Sequence, residues 1–175
     1  MTRILGAVFA GGRSRRFGSD KAVALFDGTT LIDHAIAALA DQCDTVVVSG
    51  RAVAGCICVA DRPAPDLGPL GGLNAALHHA VAHGYDAVVS VPCDMPILPA
   101  DLVARLQAAG STSFVTAMPV VGLWPARLAD ELDLHLAEGG DRSMWRWTAR
   151  VAALPVTIDG LANVNTPDDL ARLKR

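Results

Sequence analysis

Aromatic side chains make up only 5% of this 175-residue chain and charged ones only 19%, while 51% of its residues are hydrophobic. A chain so poor in charge and so rich in apolar side chains is not disordered, and it has the material for one substantial core. The scarcity of aromatics favours helices packed on a sheet over an aromatic-rich sandwich. Basic excess is missing too. With a formal net charge of -3 the chain lacks the cationic surplus that usually neutralises a phosphate backbone, so nucleic acid is not an expected partner. No CxxC or zinc-like spacing links Cys43, Cys56, Cys58 and Cys93, which read as reduced thiols of a cytoplasmic protein. No apolar run approaches the ~20 residues that span a bilayer, and the short run from Ile4 to Ala10 meets Arg13, Arg15 and Arg16 too soon for an export signal. Internal repeats, low-complexity tracts and long linkers are also absent, so a single domain over residues 1–175 is expected.

What is present alternates between two periods. Ile4 to Ala10 is a short apolar run ending in glycines, the pattern of a strand buried on both faces. Leu31, Ile32, Ala35, Ile36 and Leu39 recur at helical spacing, and Thr45 to Ser49 is β-branched and bounded by Asp44 and Gly50. Cys56 to Ala60 predicts a weaker strand, Gly72 to His83 a helix, and Asp86 to Val91 a buried strand stopped by Pro92. Further on, Leu102, Val103 and Leu106 form a helical stripe, Ser113 to about Met118 a strand, and Leu128, Leu132 and Leu136 a second stripe. A short helix over Met144 to Thr148, a strand over Val151 to Ile158 and a helix capped by Thr166-Pro167-Asp168-Asp169 complete the chain. The order predicts an α/β fold, a three-layer α/β/α sandwich on a mainly parallel, Rossmann-like sheet, with the ligand beyond the carboxyl ends of the strands. The five histidines show no ligand geometry and are expected on helix surfaces, and Trp124, Trp145 and Trp147 in the core.

The chemistry concentrates after the first strand, in Ala10-Gly11-Gly12-Arg13-Ser14-Arg15-Arg16-Phe17-Gly18-Ser19-Asp20-Lys21. Bare backbone amides at Gly11 and Gly12 let a phosphate approach, and Arg13, Arg16 and Lys21 add charge-assisted donors. The spacing fits neither GxxxxGK[ST] nor GxGxxG. Downstream, Pro92-Cys93-Asp94 places a carboxylate at the end of a buried strand, where it can hold Mg²⁺ or cap a turn. Gly68-Pro69-Leu70-Gly71-Gly72 permits a close backbone approach before a helix, for a base and ribose or for a plain turn. Asn163 and Asn165 stand on one side of an extended segment, equally suited to lining a site or to turn chemistry.

The run Phe9-Ala10-Gly11-Gly12 through Asp20-Lys21-Ala22 resembles the signature loop of the molybdenum cofactor guanylyltransferase family. The later motifs follow in the family's order: Asp61, then Gly68-Pro69-Leu70-Gly71-Gly72, then Pro92-Cys93-Asp94-Met95-Pro96, then Asn163-Val164-Asn165-Thr166-Pro167. The resemblance implies a nucleotidyltransferase that moves GMP from GTP to the terminal phosphate of molybdenum-bound molybdopterin and releases pyrophosphate. It implies Mg²⁺ on Asp94, nucleotide contacts from Ala10, Gly11, Gly12, Arg13, Lys21, Arg51, Asp61, Gly68, Gly72 and Asp94, charge stabilisation by Lys21 and Arg16, and Asn163 and Asn165 near the second substrate. Transient contact with a molybdenum-inserting enzyme or a molybdoenzyme chaperone belongs to the same expectation. Two departures stand out: Ser49-Gly50-Arg51 replaces a frequent Asn after the second strand, and the loop before Pro119 is short, with Met118 where His is common. The alternatives are transfer from CTP or to another acceptor, a sugar-phosphate nucleotidyltransferase, and a non-catalytic nucleotide-binding regulator.

Overall fold

The computed structural model describes residues 2–11 and 21–173, apart from the side chains of Lys21 and Pro167. Gly12, Arg13 and Arg16, three of the expected phosphate contacts, therefore lie outside the described residues.

The chain opens with β1 (Ile4–Phe9), followed after Lys21 by a small antiparallel hairpin of β2 (Leu25–Phe26) and β3 (Thr29–Thr30). Helix α1 (Leu31–Ala40) starts where the Thr30 side chain accepts a hydrogen bond from the Asp33 amide, and it leads to β4 (Thr45–Ser49) and β5 (Ile57–Val59). Next come α2 (Pro69–His83), β6 (Ala87–Pro92), α3 (Leu102–Ala109), β7 (Ser113–Val115) and β8 (Met118–Pro125). The chain closes with α4 (Ala129–Glu138), α5 (Met144–Arg150), β9 (Leu154–Val156) and α6 (Pro167–Leu173). The main sheet, in the order β5-β4-β1-β6-β8-β7-β9, is parallel except where β8 runs against both β6 and β7.

Two apolar clusters lie on opposite faces of this sheet, because successive strand residues point to opposite sides. On one face Ile4, Val8, Val48 and Val89 meet Ile32, Ala35 and Leu39 of α1 and Leu102, Val103 and Leu106 of α3. On the other, Leu5, Ala7, Val47 and Val88 meet Leu70, Leu73 and Leu77 of α2, Leu132 and Leu136 of α4, and Trp147 of α5. The three-layer α/β/α sandwich is thus realised. A third cluster joins Phe26, Leu31 and Val164, with Leu170 and Leu173 packed on it, so the C-terminal segment is tied to the hairpin that follows Lys21.

Some expectations change. Helix α2 begins at Pro69 rather than near Gly72, since proline's missing N–H and preset φ suit the first helical position. The apolar run after Val115 is a separate antiparallel strand, β8, reached by a tight turn that pairs Val115 with Met118. Trp124 and Trp147 are fully buried as expected, but Trp145 is 54% exposed. His135 is buried rather than on a surface, because three residues after Leu132 it falls on the inner stripe of α4. His78 does meet a carboxylate: its Nε2 lies 2.9 Å from Asp133 Oδ2.

Candidate functional site

In an open α/β sheet ligands sit outside the carboxyl ends of the strands where the order of connection reverses. Here the chain moves from β1 outward through β4 to β5, then returns to β6 on the other side of β1. The tips of these three strands are stitched together: the Ala10 amide donates to the Ser49 carbonyl (2.8 Å) and the Cys93 amide donates to the Phe9 carbonyl (3.0 Å). Ala10 is buried and Gly11 is exposed directly after it.

The glycines have distinct reasons to be bare. Gly50 turns the chain off β4 with φ +89°, and a Cβ there would lie 2.4 Å from both Cα and N of Gly11. A Cβ on Gly72 would lie 3.0 Å from Phe9 Cδ1 and 3.1 Å from Ser49 Oγ, so its bareness lets the first turn of α2 rest on the strand tips. Gly68 has φ +66° and open space around it, and it sits exposed at the N-cap of α2 with no side-chain capping bond. Arg51 is half-buried beyond Gly50.

Two carboxylates flank the tip of β1. Asp61 lies on the β4 side, where Ser49 Oγ donates to its Oδ1. The neighbouring Arg62 amide donates to the Gly71 carbonyl at 3.1 Å, and a Cβ on Gly71 would lie 3.3 Å from Asp61 Oδ2. Asp94 lies on the other side, at the end of β6, and its carbonyl accepts from the Val164 amide (2.9 Å). That bond brings the Asn163-Val164-Asn165 segment against the strand tip, reinforced by a bridge between Ile97 and Ala162. The two asparagines differ: Asn163 is half-buried, with a buried Oδ1 that has no hydrogen-bond partner among the described residues, whereas Asn165 is exposed. The Asn165 and Thr166 amides both donate to Asp169 Oδ2, and the Asp169 amide donates to Thr166 Oγ1, which closes a reciprocal cap on α6.

Lys21 opens a 3-10 turn through Val23. The next residue, Ala22, is 3% exposed, and the Leu31 amide donates to the Ala24 carbonyl (3.0 Å), so the backbone that carries the lysine is anchored in the core. The structure therefore brings Ala10, Gly11, Asp61, Gly68, Gly72 and Asp94 around the tips of β1, β4 and β6, with Asn163 beside them. Ser49 was missed as a polar contact within this group; its signal was a small hydroxyl ending a buried strand.

The chemical capacity follows from these parts. Exposed backbone amides at the end of a central strand can donate to phosphate oxygens. A carboxylate at the end of a buried strand, such as that of Asp94, is the kind of ligand a hard divalent cation takes while it keeps several waters. Among the described residues there is no cluster of three or more His, Cys, Asp or Glu.

Residues 6–153 match the model of the MobA-like NTP transferase domain. A molybdenum cofactor guanylyltransferase from Rhizobium leguminosarum bv. trifolii (strain WSM2304) is 37% identical over 194 aligned residues, covering 99% of this chain and 93% of the relative. In structure the chain is similar to molybdopterin-guanine dinucleotide biosynthesis protein A from Archaeoglobus fulgidus, with a TM-score of 0.77, 21% identity, and 96% and 95% of the two chains covered. A manganese complex from Mycobacterium tuberculosis H37Rv shares the fold at a TM-score of 0.65 and 20% identity, with 98% of each chain covered.

Proposed function

The chain belongs to the MobA-like NTP transferase domain family, and from that premise we propose that it transfers GMP from GTP to the terminal phosphate of molybdenum-bound molybdopterin, releasing pyrophosphate. The observation that carries this reading is the full-length likeness to guanylyltransferases in a chain whose strand tips gather Gly11, Asp61 and Asp94.

Nucleotidyl transfer is a positioning and charge problem. The acceptor phosphate is a monoester, already ionised at neutral pH, so no residue need remove a proton from it. Gly11 and Gly12 cradle the phosphates, while Lys21 and Arg16 offset the charge that builds on the departing pyrophosphate, with Arg13 as a further donor. Asp61, Gly68, Gly72 and Arg51 serve the nucleoside side. Asp94 would hold Mg²⁺, with Asn163 and Asn165 toward the second substrate. When bound, the cation neutralises phosphate oxygens and orients them for in-line displacement. A single domain suffices for both substrates. We place the reaction in the cytoplasm, where the substrates meet and where a molybdenum-inserting enzyme or a molybdoenzyme chaperone can take the product; among the described residues no helix is long and apolar enough to cross a membrane.

Titration calorimetry with GTP, CTP and ATP in Mg²⁺ tests the nucleotide. GTP-selective binding is expected, a preference for CTP moves the assignment to cytidylyl transfer, and no nucleotide binding overturns it.

A further inference from the structure

Among the described residues the Ser49 hydroxyl donates to Asp61, and Ser49 is enclosed. It is the last residue of β4 and only 2% exposed. Its carbonyl accepts the Ala10 amide at 2.8 Å, and its Oγ packs against the bare Cα of Gly72 while donating to Asp61 Oδ1. A hydroxyl so enclosed cannot itself read a nucleotide. It does decide which way the Asp61 carboxylate faces. With Oδ1 occupied, Oδ2 lies between two glycines, 3.3 Å from where a Cβ on Gly71 would stand and 3.8 Å from one on Gly11. Gly71 is buried against Asp61 and Leu67, whereas Gly11 is exposed and its missing side chain leaves the backbone open to close approach.

We propose that Ser49 is a positioning residue: its hydroxyl fastens one oxygen of Asp61 so that the other, beside the exposed Gly11 backbone, accepts a hydrogen-bond donor of the incoming nucleoside. A carboxylate is an acceptor only, so the partner is a donor, either an N–H of the purine edge or a ribose hydroxyl. The frequent asparagine of the family at this place is thus replaced by a residue that acts through its neighbour. The inference rests on the guanylyl-transfer reading for the identity of the nucleotide, whereas the Ser49–Asp61 contact stands on the geometry.

The test joins nucleotide binding to a direct probe of the contact. In Ser49→Ala the GTP dissociation constant and KM should rise roughly ten- to a hundredfold, the size of one lost bond to a charged group, with kcat within about twofold because the reacting phosphates are not touched. Ser49→Thr, which keeps the hydroxyl, should restore most of the affinity. In an Asp61→Ala background Ser49→Ala should add nothing, since the two side chains act as one unit. The ratio of GTP to ITP binding, or of GTP to 2′-deoxyGTP binding, should shrink in Ser49→Ala and so name the donor. In nucleotide-free protein the Asp61 side-chain carboxyl ¹³C resonance should shift on Ser49→Ala. Unchanged GTP affinity, additive losses in the double variant, or an unmoved Asp61 resonance would each overturn the proposal. If the unaltered chain binds no GTP, the functional reading fails and takes the nucleotide half of the inference with it, while the Asp61 resonance still decides the contact.

Discussion

Gly50 and Gly11 touch through their backbones, and nothing larger than hydrogen fits between them. Gly50→Ala places a methyl 2.4 Å from Gly11 atoms at a φ of +89° that L side chains rarely adopt. It should lower unfolding free energy by more than about 2 kcal/mol, read from denaturant midpoints, and displace the strand tips that carry the site. Lys21→Ala makes the opposite prediction. Its backbone is anchored by buried Ala22, so the variant should unfold at an unchanged temperature yet lose about two orders of magnitude or more in turnover; near-normal turnover would remove Lys21 from the charge-stabilising role. The thiols separate in the same way. Burial, aided by the Asp44 charge, pushes the Cys43 thiol up to about 12, while Cys58 is exposed. A thiol reagent at pH 8 should label Cys58 in the native protein and reach Cys43 only on unfolding.

Helices α2 and α4 are joined by more than apolar packing. Asn74, fully buried in α2, donates to Asp133 Oδ1 at 2.7 Å, and His78 Nε2 meets Asp133 Oδ2 at 2.9 Å. Burial works against ionising Asp133, but the Asn74 and His78 bonds outweigh it and hold its carboxyl below the usual range. A depressed carboxylate contributes stability that is present above its unfolded pKa and is lost as pH falls through the folded one. Because the Asp133 side chain is 40% exposed, the contribution is discounted to about 1 kcal/mol. Asp133→Ala should therefore be destabilised by about that amount at pH 7, and the gap to the unaltered protein should close in acid, below the ordinary range of aspartate. A gap that persists at low pH would show that packing, not charge, joins the helices. The consequence reaches the site, since α2 begins with the Gly68–Gly72 turn under Asp61.

At the scale of the whole molecule, legibility followed burial. Thr45–Ser49 could be read to the residue because a β-branched run on the face of α1 and α2 has no competing period. Strand β8 was harder, because Gly122 interrupts its pattern: a Cβ there would collide with the Trp124 ring at 2.5 Å and the Ser113 carbonyl at 2.8 Å. The histidine at 135 was misread for want of a partner in sequence, and burial followed by the Arg150 charge now holds its imidazole below the usual range. The glycine- and arginine-rich loop was the clearest motif in the chain, and the structure adds what its letters could not: the two aspartates on either side of β1 and the C-terminal segment that closes against Asp94. Spacing along the chain predicts each piece; only the sheet order β4-β1-β6 makes them neighbours.

The central claim is that this arrangement moves GMP onto a phosphate of molybdenum-bound molybdopterin. Pyrophosphate release measured with molybdenum-charged molybdopterin, GTP and Mg²⁺ tests it most directly. Release should depend on all three components and fall to background in Asp94→Ala, with the guanine dinucleotide as the product. Pyrophosphate formed equally well with CTP in place of GTP, or none formed with GTP, would contradict it.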